Sequence, residues 1–473
     1  MNPSPNSEPP KVIDRNNFYY QSAKWWILIA VGTSTFMSAL DGSVVNTILP
    51  VINRNLGSGI AAVEWVVITY LLVLSGLLLS FGRLGDLRGH KKIFIVGLVT
   101  FIVGSTLCGF SVSITTLVLF RGIQAVGAAM VQANSPAIIT KNFPGSQRGQ
   151  ALGTVATMTY LGLTIGPFFG GWLTQQFSWR AVFFINIPIG LFVLWLSNHH
   201  IPVHKPSQPT RIFDFPGALT FTTGLVVLML ALNQGHSLGW SSPMIIALFL
   251  CSVLLFGTFV YIEQRSTSPM ISLNLFKNRT FSASTLSAIF NYFCIYGILF
   301  LVPFYLIQGR NLSPAQAGLL LTMQPIIMAI LAPISGTLSD RIGTRYLTVS
   351  GMLLLALGLV LLSGLDNQTT KFQITLALGV VGLGTGIFIS PNTSALMGSA
   401  PKHRQGTAAG ILATSRNLGM VLGVGLAGAI FTTVLSEFDE TAAINLTLKI
   451  NFIVTAGVAL LGAIIAATTK KGI

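Results

Sequence analysis

The chain has 473 residues, of which 8% are charged and 52% hydrophobic, where a soluble globular protein averages roughly 25% charged. That deficit excludes a soluble protein with one large core, and the lack of alternating segments of ~10 residues excludes a transmembrane barrel. The net charge of +15 sits in short loops between apolar runs, so its partner is the membrane surface and not nucleic acid.

Residues 1–23 form a polar, Pro-rich tail without the apolar region and cleavage site of a signal peptide. Beyond it, apolar runs long enough to span a bilayer recur along the chain, which predicts an all-α polytopic membrane protein. Fourteen transmembrane helices are predicted, at about 24–49, 63–82, 92–112, 115–138, 150–174, 180–198, 216–233, 244–262, 281–307, 315–338, 346–364, 373–397, 406–434 and 449–468. An even number places both termini on one side. Of the 27 Lys and Arg residues, 20 fall on the side of the N-terminus, and only Arg54, Arg180, Arg310, Lys371 and Lys449 on the other. The excess predicts a multi-pass protein of the plasma membrane with both termini cytoplasmic. Cys108, Cys251 and Cys294 all lie inside apolar runs, which argues against a disulfide framework.

The first span carries "SALDGSVVNTILPVI" (Ser38 to Ile52), with Asp41 in a greasy helix. A carboxylate at the bilayer centre costs at least about 2.5 kcal/mol on insertion scales, and intramembrane acids are functional by default. A carboxyl able to be neutral or charged is what a proton-coupled exporter needs; the alternative is an ion pair that locks two helices. Glu64, at the start of span two, reads as a solvated helix-start carboxylate that could also face the outer vestibule. "SFGRLGDLRGHKK" (Ser80 to Lys92) follows, with Gly82, Asp86, Arg88 and Gly89 as candidate gating residues. Arg121 in span four lies at a depth similar to that of Asp41, about 10 Å against 13 Å from the outer ends of their helices. It is the natural partner of Asp41, with a polar clamp to backbone carbonyls as the alternative. In span five, Gly162, Gly166 and Gly170 repeat every four residues around Pro167, a pattern suited to close contact and bending. His199, His200 and His204 lack fitting companion ligands, so no metal and no cofactor are expected.

The second half repeats the first. "ISGTLSDRIGTRY" (Ile334 to Tyr346) matches the Ser80 segment at an offset of 254, with Asp340 and Arg341 as further gating candidates. "APKHRQGTAAG" (Ala400 to Gly410) matches "FPGSQRGQALG" (Phe143 to Gly153) at an offset of 257. The offset exceeds six helices by about two spans, which residues 212–262 supply. The domain reading is a tail (1–23), a six-helix bundle (24–198), a loop with two inserted helices (199–280), a second six-helix bundle (281–468) and a short tail (469–473). Parallel six-helix repeats are a transporter design with substrate near the midplane. Arg416 falls mid-membrane in span thirteen, where positioning a helix and contacting substrate are equal readings. Asn46, Gln124, Asn134, Asn291 and Gln324 join it as candidate cavity lining.

With these segments in place, the chain resembles the major facilitator superfamily, in its fourteen-helix drug:proton antiporter branch. "LDGSVVNTILP" is similar to the first-helix signature, "GRLGDLRGHKK" to the loop signature, "RGIQAVGAA" to the fourth-helix signature and "GLTIGPFFGG" to the fifth-helix antiporter signature. "SWRAVFFINIPIG" and "VPFYLIQ" also fit. Ala125 stands where glycine is usual, and Leu87 and His90 replace basic residues. The resemblance implies the major facilitator fold, proton coupling through Asp41 and Arg121, and multidrug efflux. No acid falls inside spans nine to fourteen, which counts against a multi-proton mechanism. With no phosphate-binding loop and no nucleophile with its base, ATP-driven transport and enzymatic activity are disfavoured. Three functions stay open: a proton-driven exporter of small lipophilic compounds, cationic ones included; an exporter of an organic anion or metabolite; and a non-transporting membrane sensor. Composition does not reveal the oligomeric state.

Overall fold

The computed structural model describes residues 15–144, 147–203, 214–266, 273–401, 405–438 and 440–469. His204, both chain ends beyond these limits and the side chain of Asp340 lie outside the described residues. In chain order the helices are α1 (Arg15–Leu56), α2 (Ile60–Arg88), α3 (His90–Gly109), α4 (Ile114–Asn142), α5 (Arg148–Gln176) and α6 (Ala181–His200). There follow α7 (Phe215–Leu238), α8 (Pro243–Arg265), α9 (Arg279–Gly309) and α10 (314–342, with a local break at Thr322). The last four are α11 (Thr344–Ser363), α12 (Lys371–Ser399), α13 (Gln405–Leu435) and α14 (Glu440–Ala467).

Thirteen helices among the described residues are long and apolar enough to cross a membrane. Helix α5 stands outside that set because several of its residues between Arg148 and Tyr160 lie outside the described side chains. Helix α1 runs through Pro50 to Leu56, beyond the expected end.

The sequence repeat is also a repeat of contacts. Gly97 of α3 meets the backbone of Gly127 of α4, and its counterpart Gly351 of α11 meets Gly384 of α12. Missing side chains let both helix pairs approach at backbone distance. Ser113 caps α4 and Thr370 caps α12 with the same reciprocal bonds. The tight turns after α2 and α10 are made by Gly89 (φ 94°) and Gly343 (φ 85°), a region closed to most side chains. Gly89→Ala and Gly343→Ala are each expected to cost about 1–3 kcal/mol, read as a lower melting temperature of the purified protein.

Within the first half, α1 packs on α5 and α6, and α4 on α2 and α3; in the second, α9 packs on α13 and α14, and α12 on α10 and α11. Helix α7 sits against α2 and α13 and carries α8 on its outer side. The halves meet along α2 with α13 and α5 with α10. The second contact is reciprocal: a Cβ on Gly171 would strike the Pro314 carbonyl, and one on Gly318 would strike the Pro167 carbonyl. It lies at the end of the bundle opposite the N-terminus, called the far end below.

Candidate functional site

Asp41 and Arg121 are both 1% exposed and form an ion pair, Arg121 Nη1 donating to Asp41 Oδ2 at 2.6 Å. Gln124 Nε2 and Asn186 Nδ2 each donate to Asp41 Oδ1 at 2.9 Å. Gln124, one turn along α4 from Arg121, accepts from Arg121 Nη1 at 2.7 Å. Both amides also reach Ser105 Oγ, which donates to the Phe183 carbonyl. The guanidinium lies 4.1 Å from the centre of the Tyr70 ring, and its Nε donates to the Val66 carbonyl. Asp41 therefore accepts from three donors, an arrangement that fits the charged carboxylate. Side chains from α4 and α6 meet at the Asp41 carboxylate of α1, with Ser105 of α3 joining the two amides and α2 supplying the ring beneath the arginine.

A second feature lies between the halves. A cavity of about 130 Å³ is lined by Ser43, Thr159, Leu163 and Pro167 from one half, and by residues including Tyr292, Tyr296, Gln324 and Arg416 from the other. Arg416 donates to Thr393 Oγ1 at 3.1 Å and its guanidinium lies 5.6 Å from the Tyr292 ring centre. Among the described residues no acid pairs with Arg416, so the cavity carries a positive group. Ser43 follows Asp41 by two residues, about 200° round the helix. Helix α1 thus turns one face to the ion pair and the other to the cavity. Ser43 Oγ also donates to the Leu163 carbonyl at 3.2 Å, the acceptor that Pro167 leaves without its helical donor.

Of the polar residues expected in the cavity, Gln324 and Arg416 line it. Gln124 belongs to the Asp41 network. Asn134 bonds to His90 at 2.8 Å and to the Phe81 and Met130 carbonyls, inside the first half. Asn291 is buried against Met352 within the second half, and Asn46 is buried on α1 outside the lining. Each six-helix half has a polar interior of its own, which an unoriented asparagine fits as well as the central cavity. Sequence reasoning missed Asn186 and Ser105. Asn186 entered only as part of the "SWRAVFFINIPIG" motif, and Ser105 sits beside Thr106 in an otherwise apolar run. Sequence reasoning also missed Tyr292 and Tyr296, whose only signal is an aromatic ring in an apolar run.

At the near end, Asp86 stands 3.3 Å from His90 Nε2, and His90 links onward to Asn134. Gly82 faces Ala133 of α4, while Arg88 and Arg341 are exposed. The Asp340 side chain is outside the described residues. On α5, Gly162, Gly166 and Gly170 all face α1, at Phe36, Ser43 and Val44. This ladder is packing within one half; it is Pro167 and Gly171 that touch the other half.

Glu64 departs from expectation. It is not a solvated helix-start group but fully buried. Oε2 accepts from Asn233 Nδ2 of α7 at 3.3 Å, Oε1 has no partner among the described residues, and the carboxyl lies directly against Gly428 of α13. Asp41 is therefore not the only acid buried in the bundle. The helix-start reading failed because α7, an inserted helix, covers this end of α2.

The sequence profile of the Major Facilitator Superfamily matches residues 31–275 and 284–471. The riboflavin transporter RibZ of Clostridioides difficile (strain 630) is 34% identical over 408 residues, covering 86% of this chain and 88% of the relative. The multidrug resistance protein Stp of Mycobacterium tuberculosis (strain ATCC 25618 / H37Rv) is 32% identical over 414 residues, 87% of this chain and 77% of the relative. Among solved structures, a bacterial homologue of the human lysosomal transporter Spinster, inward-facing and unoccupied, superposes with a TM-score of 0.69 at 15% identity, covering 94% of this chain and 97% of that one. At that identity the likeness speaks for the fold alone.

Proposed function

The chain belongs to the Major Facilitator Superfamily, and from that premise we propose that it exports small lipophilic compounds in exchange for protons, by alternating access. It is a polytopic membrane transporter and not an enzyme. The finer reading adds α5 as the fourteenth transmembrane helix and keeps the division into bundles 24–198 and 281–468 around the inserted pair. Both termini are cytoplasmic in this reading, so the far end is the outer face of the plasma membrane.

The observation that carries the proposal is the Asp41 network. A carboxylate held by Arg121, Gln124 and Asn186 cannot take up a proton and keep all three bonds, since the protonated acid loses acceptor capacity. Protonation frees Arg121 and lets α1 shift, and α1 also lines the cavity. Proton and cargo are thereby linked through one helix. Asp86, with its neighbours at the near end, closes the inner face in turn.

The test is the reconstituted protein in liposomes under an imposed pH gradient, with rhodamine 6G, riboflavin and carboxyfluorescein as cationic, neutral and anionic probes. Accumulation of at least one probe that collapses with a protonophore supports the reading; movement of none under any gradient contradicts it.

A second reading of the cargo is favoured by Arg416, the positive group of the cavity. It suits an anionic or acceptor-rich aromatic compound better than a cation, with Tyr292 and Tyr296 offering stacking faces. A charge-assisted hydrogen bond is worth about 1.5–3 kcal/mol. Arg416→Gln should therefore weaken carboxyfluorescein or riboflavin binding by about 10–150-fold, while rhodamine 6G binding holds or improves. Equal loss for all three probes would make Arg416 a structural group.

A further inference from the structure

We propose that Glu64 is a second proton-binding site, which holds the far end closed when it carries a proton and releases it when it does not. The site is a junction of three parts of the chain: α2 of the first half, the inserted helix α7 and α13 of the second half. Glu64 is fully buried; among the described residues its Oε1 has no hydrogen-bond partner and its Oε2 has a single amide donor, Asn233 Nδ2, which also donates to the Ala61 carbonyl at 3.0 Å. Gly428 leaves room for the carboxyl and nothing more, since a Cβ at that position would overlap it.

No cation answers this acid among the described residues. On α1, Arg54 is exposed and Asp41 is engaged in its own pair. On α4, Arg121 is held by Asp41, and Lys141 lies at the near end with His90, Lys91 and Lys92 of α3. On α13, Arg416 is 12 residues deeper than Gly428, about 18 Å along the helix. On α2 itself, Tyr70 faces Arg121, and Asp86 and Arg88 are at the opposite end. His236 follows Asn233 by three residues on α7, with its side chain outside the described residues. Glu437, just past α13, is exposed.

A charged carboxylate taken out of water with one neutral donor is strongly disfavoured, whereas the neutral acid fits such a place. The closed junction therefore takes the protonated form. In the reaction the carboxylate takes a proton from hydronium, water leaves, and the neutral side chain enters the cleft between Asn233 and Gly428. When α2 and α13 part, the carboxyl meets water and the proton returns to it. The cleft needs the inserted helix, since Asn233 supplies its one donor. Direction of use rests on the proton-driven reading above: protons arriving at the outer face would shut it behind them. The titration itself does not depend on that reading.

The test uses the full chain in lipid nanodiscs with Cys108, Cys251 and Cys294 replaced by alanine. Spin labels go on Asn55→Cys and Ser436→Cys, both exposed at the far end. In the parent, the short inter-label distance should replace the long one over about two pH units as pH falls, the width of a one-proton step. Glu64→Gln should hold the short distance at every pH, and Glu64→Asp should keep a titration. Gly428→Ala, which denies the carboxyl its place, should give the long distance even at low pH. Asp41→Asn should leave the far-end titration intact, so failure of the coupling role of Asp41 and failure of this site read separately. An unchanged titration in Glu64→Gln, or a parent without one, overturns the proposal.

Discussion

Asp41→Asn is expected to reduce gradient-driven transport to the level of empty liposomes while leaving downhill leakage of cargo. The geometry makes this a demanding substitution. Arg121 would lose its counter-charge at a site sealed from water, and breaking a buried pair from one side costs about 3–5 kcal/mol. A fall in activity could then reflect a damaged fold. The double variant Asp41→Asn, Arg121→Gln separates the two effects. It leaves only neutral amides beside Gln124 and Asn186, which can bond among themselves, so most of the lost stability should return. Transport should not. Cargo binding should survive in the double variant, because neither residue lines the cavity. The measurements are the melting temperature, equilibrium binding of the transported probe and its gradient-driven uptake. A stable double variant that still accumulates cargo against its gradient would remove Asp41 from the mechanism.

The second large effect is expected at the far end. Gly171→Val and Gly318→Val should each slow turnover and leave the far end open, with the separate halves intact. In both cases the obstacle is a backbone carbonyl, of Pro314 or of Pro167, so no rotamer change relieves it. Overpacking of this kind costs about 1–3 kcal/mol, and every 1.4 kcal/mol is tenfold in a conformational equilibrium. The closed state should thus fall by about 5–150-fold relative to the open one. Labelling of a single cysteine at Ala315 by a membrane-impermeant maleimide should rise accordingly. Gly162→Val makes the contrast. Its Cβ strikes Phe36 within the first half, so it should lower the melting temperature without opening the far end. If the Gly171 and Gly318 variants label no faster than the parent, the closed contact does not control access.

These expectations show what the sequence carried and what it did not. The spans, the twin half-repeat and the depth match of Asp41 with Arg121 were legible, because hydropathy, an offset and helical rise are one-dimensional quantities. Rotation about a helix is not. Gln124, Asn134 and Asn291 all looked like cavity residues, yet each points into the interior of its own half. Asn186, read only as part of a motif, completes the Asp41 network from α6. In α5 the eye falls on Gly162, Gly166 and Gly170, but the contact between halves uses Gly171, one residue and about 100° away. Glu64 was misread for a different reason. Its burial depends on α7, which is remote in sequence, and no local pattern announces that an inserted helix will cover it.

The most direct test is to follow protons while cargo is the only driving force. Liposomes holding the reconstituted protein, a trapped pH dye and the transported probe are diluted into probe-free buffer at equal pH. Exchange requires that cargo leaving drives protons in, so the lumen should acidify with the parent protein. It should stay neutral with Asp41→Asn even as the probe leaks out. Acidification at the parent rate in Asp41→Asn, or none in the parent while cargo leaves, would contradict proton exchange through this carboxyl.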